Sequence, residues 1–292
     1  MRPRVGYLGP EGTFSEEALL SSVAHDSVEP VPQATIYDTV RALRRGDVEW
    51  AIVPIENSLD GSINVTLDLL AGEASDVKIV GEARLRVRHS LIASADVALA
   101  EIETVSTHPQ VPGQCTRFLR GELPHARVLP ASSTAEAVRE VVASAEPGRA
   151  ALGTKLAAEI YGGTVVREGV QDRDDNETRF VWLAQRNDGV SAAPPLQDAG
   201  TDGEGNWKTS LVFWGAGADS PGWLVRCLDA FARREINLTK IESRPRRERL
   251  GHYMFFVDLD GGLEGEQDVR DAVADVREMC EEVRVLGSYP AA

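Results

Sequence analysis

Along the first two-thirds of the chain the apolar positions follow two alternating rhythms. Short runs with β-branched residues have the length and make-up of strands: "RVGYLG" at 4–9, "WAIVPI" at 50–55, "SLIASA" at 90–95, "ETVSTH" at 103–108, "ARVLPA" at 126–131, "TVVREGV" at 164–170 and "RFVWLAQ" at 179–185. Among them lie helical runs, "SEEALLSSVA" at 15–24, "PGQCTRFLRG" at 112–121 and "TAEAVREVVASA" at 134–145. "NVTLDLLAG" at 64–72 follows "WAIVPI", and "AALGTKLAAEIYGG" at 150–163 precedes the last two strands. This alternation predicts an α/β sheet with crossovers and a ligand site beyond the carboxyl ends of strands.

The rhythm stops at 187–206, "NDGVSAAPPLQDAGTDGEGN", where Gly, Pro, Asp and Ala leave little to bury, so this stretch reads as a linker. Residues 207–292 resume with a different order. "TSLVFWG" is a strand, and "GWLVRCLDAFARREI" is a helix with Leu224, Leu228, Phe231 and Ala232 on one face. "NLTKIESRP" and "LGHYMFFVDLDG" are strands joined by a basic turn. In "EQDVRDAVADVREMCEEV", Val269, Ala272, Val273, Val276, Met279 and Val283 share a helical face, and "VRVLGSY" closes the chain. The order βαββαβ predicts a ferredoxin-like module.

A chain of 292 residues accommodates two or three domains, and its composition is that of a folded protein. The net charge of −15 argues against nucleic acid or an anionic membrane as partner. No apolar run reaches membrane-spanning length, and the polar N-terminus does not read as a signal peptide. The three cysteines, Cys115, Cys227 and Cys280, are far apart and suggest neither a disulfide framework nor a zinc cluster. The expectation is a reduced, cytoplasmic protein.

Candidate chemistry sits in loops between strand and helix. In "GPEGTFS", Gly9 and Gly12 allow tight turns, and Thr13 or Ser15 can cap a helix whose N-terminus either ends there or binds an anion. In "PIENSLDGS", Glu56 and Asn57 follow an apolar strand; they either use their polarity on a ligand or build a turn with Asp60-Gly61. "STHPQVPGQC" offers His108, Gln114 and Cys115, although the five histidines show no metal-ligand spacing. "SSTAEA", with Ser132 to Glu136, reads as a structural capping box. In "DDNETRF", Asn176 and Thr178 either make a turn, with Arg179 neutralising its acidic neighbours, or serve a site. Walker, GxGxxG, HExxH and GxSxG motifs are missing, so an enzyme built from these parts is expected to work without cofactor or metal.

Taken together, "GPEGTFS", "PIENS", "HPQVPGQC", "STAEA", "NETRF" and "INLTKIESRP" resemble, in order along the chain, the prephenate dehydratase family. The resemblance implies a two-lobed catalytic region similar to type-II periplasmic receptors, with lobes at 1–88 plus 165–186 and at 89–164. It also implies the linker at 187–206 and an ACT regulatory domain at 207–292. The implied reaction is decarboxylating dehydration of prephenate to phenylpyruvate in phenylalanine biosynthesis, by a hydro-lyase without cofactor. Thr178 is the implied donor to the departing hydroxyl, directly or through water or Glu56. Thr13, Ser15, Glu56, Asn57, Ser58, Gln114, Cys115, Arg179 and Phe180 are the implied substrate-site residues, with Arg179 either orienting a carboxylate or holding the loop.

The effector, L-phenylalanine, is implied at Gly222, Trp223, Leu224 and Val225 and at Asn237, Leu238, Glu242, Ser243, Arg244 and Pro245. Trp223 stands where the family often has alanine, and its indole either faces away from that pocket or reshapes it. Such modules pair across two-folds, so a homodimer or homotetramer is expected. An arogenate dehydratase and a non-catalytic two-lobed receptor are the alternatives.

Overall fold

The computed structural model describes residues 2–186, 194–196, 206–215 and 220–292. The proposed linker therefore lies outside the described residues except at 194–196 and 206. Two compact units emerge, Met1–Ile63 with Arg84–Phe180, and Asn64–Ala83 with Val181–Ala292.

The chain opens with β1 (Arg4–Leu8), α1 (Phe14–Ser22), β2 (Glu29–Gln33), α2 (Ile36–Arg45), β3 (Trp50–Asn57) and β4 (Gly61–Ser62). Next come α3 (Asn64–Ala71) and β5 (Val77–Arg86). A second run follows, with β6 (Ser90–Ala93), β7 (Thr104–Thr107), α4 (Val111–Gln114), α5 (Thr116–Glu122), β8 (Arg127–Pro130) and α6 (Thr134–Ser144). It ends with β9 (Arg149–Gly153), α7 (Lys155–Tyr161), β10 (Thr164–Arg167) and β11 (Glu177–Gln185).

These strands build two sheets, ordered β2-β1-β3-β11-β5 with β4 on β3, and β10-β6-β9-β7-β8. Strand β1 is parallel to both neighbours, as is β7, which places helix N-termini beyond the carboxyl ends of these strands. The α/β expectation therefore holds. Strand β10 belongs to the second sheet, so the return to the first sheet runs through residues 168–176. Elements β2, α2 and β5 are absent from the periodicity reading. The run "EPVPQ" carries two prolines, which only an edge strand such as β2 tolerates.

The second unit carries β12 (Trp207–Trp214), α8 (Trp223–Ala232), β13 (Leu238–Pro245), β14 (Tyr253–Asp260), α9 (Gln267–Met279) and β15 (Glu282–Pro290). The order is βαββαβ as expected, and the antiparallel sheet runs β13-β14-β12-β15. Leu211 and Phe213 of β12 and Val257 and Leu259 of β14 alternate onto one face, where they bury against α8 and α9.

Two helix-face assignments change. The buried stripe of α8 is Trp223, Cys227, Ala230 and Phe231; Leu224 and Leu228 are only partly buried and Ala232 is exposed. Helix α9 ends at Met279 because Cys280 is extended, so Val283 sits in β15 opposite Phe213. The cysteines also differ from expectation: Cys227 and Cys280 are far apart in sequence, yet their sulfurs lie 3.8 Å apart.

Within the same unit Lys208 Nζ meets both oxygens of Glu82 at 2.8 and 2.9 Å, and both side chains are almost wholly buried. A buried pair adds little net stability, but removing one member is costly. Lys208→Met should therefore destabilise the protein by about 3–5 kcal/mol. Lys208→Met/Glu82→Gln should regain much of that in urea denaturation. Equal loss in the single and double variants would show that the cost comes from shape rather than charge.

Candidate active site

Loop geometry begins with Gly12. Its φ is +82°, and a Cβ there would stand 2.8 Å from Ala157 Cα. Glycine alone satisfies both constraints. The close approach lets Thr154 Oγ1 donate to Gly12 O at 2.6 Å, tying the β1–α1 loop to the start of α7. Thr13 is the N-cap of α1: its oxygen accepts from Glu16 N and its hydroxyl donates to Leu8 O at 2.9 Å. Ser133 caps α6 by accepting from Glu136 N at 3.0 Å.

Between these caps lies a cavity of about 410 Å³. Thr13, Phe14 and Ser15 line it at the start of α1, and Ser132, Ser133 and Thr134 line it at the start of α6. Asn57, Asp60, His89, His108, Gln114, Thr178 and Phe180 complete its functional wall. No lysine or arginine is among the described residues that line it. Two helix N-termini, with their inward partial positive charge, hydroxyls and amides are thus the anion-attracting groups of this cavity.

One network fixes the polar wall. Asn57 Oδ1 accepts from the backbone N–H groups of Leu59 (2.9 Å) and Asp60 (3.0 Å), which can only donate. Its Nδ2 therefore faces the other way, donating to Asn176 Oδ1 and to Thr178 Oγ1, each at 2.9 Å. With its oxygen so occupied, Asn176 donates through Nδ2 to Gln114 Oε1 at 3.2 Å. Gln114 Oε1 also meets His89 Nε2 at 2.9 Å, and Gln114 Nε2 donates to Asp60 Oδ2 at 3.2 Å. His89 must then carry its proton on Nε2. The ring of contacts closes at Asp60, whose backbone is where the order began.

This order decides what Thr178 can do. Its oxygen receives an N–H from Asn57, so its own hydrogen is directed elsewhere, and the residue lines the cavity. An N–H into Oγ1 also stabilises negative charge developing there as the proton is given away.

The sequence-expected residues separate into two groups. Thr13, Ser15, Asn57, Gln114, Thr178 and Phe180 come together on the cavity. Glu56, Ser58, Cys115 and Arg179 are not among its lining residues. On β11, Thr178 and Phe180 face the cavity while Arg179, one residue on, points to the opposite side of the sheet, where Arg179 Nη2 meets Glu56 Oε2 at 3.4 Å. That contact lies on the side of the sheet away from the cavity. Ser58 accepts from Glu177 N at 2.9 Å. Cys115 is fully buried in the core beside Leu91, Val105 and Leu152, and burial with nearby Asp172 pushes its thiol up to about 12.

His89, Asp60 and the Ser132–Thr134 cap were missed or read as structural, and they line the cavity; Asn176, left open between turn and site, stands behind the wall on Asn57 and Gln114. Asn176 had a signal, an amide inside "DDNETRF"; His89, amid "RVRHSL", had none that a strand histidine would lack.

The second unit has a cavity of about 340 Å³ lined by Gly222, Trp223, Leu224 and Val225 with Gly215, Arg246, His252, Tyr253 and Phe255. The Trp223 indole sits largely in the core, donating from Nε1 to Met279 O at 2.7 Å, and its remaining edge walls this cavity. Pro245 lines a different cavity, with Asp68. Asp68 takes both Arg244 Nε (3.1 Å) and Nη2 (2.9 Å). Asn237 Nδ2 donates to Asp260 Oδ2 at 2.8 Å, and Leu238 packs on the module core. Glu242 and Ser243 lie on β13 and line neither cavity.

Residues 5–188 match the family model "Prephenate dehydratase". A prephenate dehydratase of Mycolicibacterium vanbaalenii is 38% identical over 99% of this chain and 91% of its own length. A bifunctional chorismate mutase/prephenate dehydratase of Aquifex aeolicus is 35% identical over 99% of this chain and 74% of its own. The crystal structure of a prephenate dehydratase from Arthrobacter aurescens, in complex with L-Phe, superposes with a TM-score of 0.84 at 33% identity, covering 98% and 89% of the two chains.

Burial lowers the His89 pKa, against a smaller opposing effect of the Gln114 hydrogen bond. The unfolded chain then takes up a proton below about pH 6.5 that folded His89 refuses. Stability present at neutral pH should be lost as pH falls, by up to about 1.4 kcal/mol per pH unit. Urea denaturation at about pH 7.5 and about pH 5.5 should show this slope in wild type and a flatter one in His89→Gln. Parallel slopes would mean that His89 titrates as it does in the unfolded chain.

Proposed function

The chain belongs to the prephenate dehydratase family, and from that premise we propose that the first-unit cavity converts prephenate to phenylpyruvate, carbon dioxide and water. The observation that carries this reading is the Thr178 hydroxyl, ordered by Asn57 so that its proton is available at the cavity. The C1–carboxylate bond breaks to release CO2, its electron pair moves through the ring diene, and the C4–oxygen bond breaks. The departing hydroxide takes the Thr178 proton and leaves as water. Thr178 regains a proton from solvent, so one proton is consumed per turnover. Aromatisation supplies the driving force, and the protein supplies orientation and a proton at the leaving group.

The side-chain carboxylate is held by Ser15, by the start of α1 and by the capping hydroxyls of α6. The ring carboxylate sits near Phe14, Val87 and Phe180, where weaker solvation favours its loss as CO2. Gln114 and Asn176 order the donor, while Glu56, Ser58 and Arg179 hold its loop. Residues 207–292 form the ACT regulatory domain and 1–186 the catalytic region. The cavity at Gly222–Val225 takes L-phenylalanine, which a structurally similar relative binds. Exposed Val225, Ile241 and Tyr253 favour assembly into a homodimer or homotetramer. The cytoplasm is the expected location.

Phenylpyruvate formation should be measured for wild type and Thr178→Val. The variant, folded by circular dichroism, should lose about 10²-fold or more in kcat, the scale of general-acid catalysis. A variant nearly as fast as wild type would move the proton donor elsewhere. A wild type inert on prephenate and active on arogenate would change the substrate but not the chemistry.

A further inference from the structure

Outside the catalytic cavity the second unit brings together two thiols that the proposed reaction does not use. Cys227 lies on the buried face of α8 and Cys280 caps α9, with their sulfurs 3.8 Å apart. Cys227 is closed to solvent, whereas Cys280 is partly exposed. The pair adjoins the cavity at the start of α8. A Cβ on Gly215, which lines that cavity, would touch both Trp223 Cζ2 (3.2 Å) and Cys280 Cα (3.3 Å). Trp223 is further tied to the residue before Cys280 by its bond to Met279 O.

We propose that Cys227 and Cys280 are an oxidisable dithiol whose disulfide stiffens the Trp223 wall of this cavity, so that ligand binding there responds to thiol redox state. The ligand is taken as phenylalanine, which rests on the effector reading above; the dithiol itself does not. The chemistry needs a disulfide oxidant such as oxidised glutathione. One deprotonation of the pair yields a thiolate held against the other S–H. The hydrogen bond from Cys280 draws the Cys227 thiol down, against burial and with help from Arg226. The same contact and burial raise the Cys280 thiol, so the thiolate rests mainly on Cys227, and a proton hop across the contact makes Cys280 the minor thiolate that solvent reaches. It attacks the oxidant and expels one glutathione thiolate. Cys227, as thiolate, then attacks the Cys280 sulfur and expels the second glutathione. Two protein thiols are oxidised, one glutathione disulfide is reduced, and the two glutathione thiolates take up the two protons. Cys115, with its thiol pushed up to about 12 by burial, is expected to stay reduced.

The test treats the full chain with excess oxidised glutathione, then maps peptides by mass without reduction and counts thiols after denaturation. Free thiols should fall from three to one, with a Cys227–Cys280 cross-linked peptide lighter by the two lost hydrogens. Calorimetry with phenylalanine should show half-saturation differing by about fivefold or more between oxidised and reduced protein. Reductant should reverse the change, and Cys280→Ser, which keeps the volume nearly constant, should bind alike in both conditions. Three surviving thiols, a glutathione retained on Cys280, or equal binding by cross-linked and reduced protein would overturn the proposal. Phenylalanine that binds neither form would overturn the effector reading and with it the coupling, while the peptide map still decides the dithiol.

Discussion

The site depends on the orientation of one carboxamide. Asn57 Oδ1 is held by two backbone N–H groups of the turn that follows β3, and backbone donors cannot exchange roles with their acceptor. From that single direction the amides of Asn176 and Gln114, the tautomer of His89 and the acceptor role of Thr178 all follow. The residues come from β3, β11, α4 and the segments before β6 and β11, so the network also fixes the two sheets' loops to each other. His89 Nδ1 is buried without a partner, but the bonds among Asn57, Asn176, Gln114 and Thr178 give the donor a defined geometry.

The second constraint is electrostatic. A substrate with two carboxylates would ordinarily call for guanidinium groups, yet the described residues of the cavity wall include none and Arg179 meets Glu56. Helix N-termini attract carboxylates without placing a full cation beside the ring. A bound cation would hold the ring carboxylate as strongly before CO2 loss as during it, which does not accelerate the reaction. The overall charge of −15 acts at longer range and is screened by salt.

In the second unit the same economy of polar contacts recurs. Asp68 on α3 takes two prongs of Arg244, and Lys208 closes on Glu82.

Periodicity alone determined the α/β alternation and the βαββαβ order, because each reflects which face of an element must be buried, a property local in sequence. The capping segments, Thr13 or Ser15 and Ser132 to Glu136, were legible for the same reason, as was the cluster of amides and hydroxyls in "DDNETRF", and the structure puts the caps at Thr13 and Ser133. Strand parity, also local, would have separated Thr178 and Phe180 from Arg179. What the tertiary structure decided was which polar groups meet: His89 with Gln114, Asn176 with Asn57, and Cys227 with Cys280, 53 residues apart. Hydrogen-bond direction is set by partners that arrive from distant segments, and no pattern along one strand or helix specifies them. The sequence therefore named Thr13, Ser15, Asn57, Gln114, Thr178 and Phe180 on the cavity, and only the folded chain assigned the polar groups their partners.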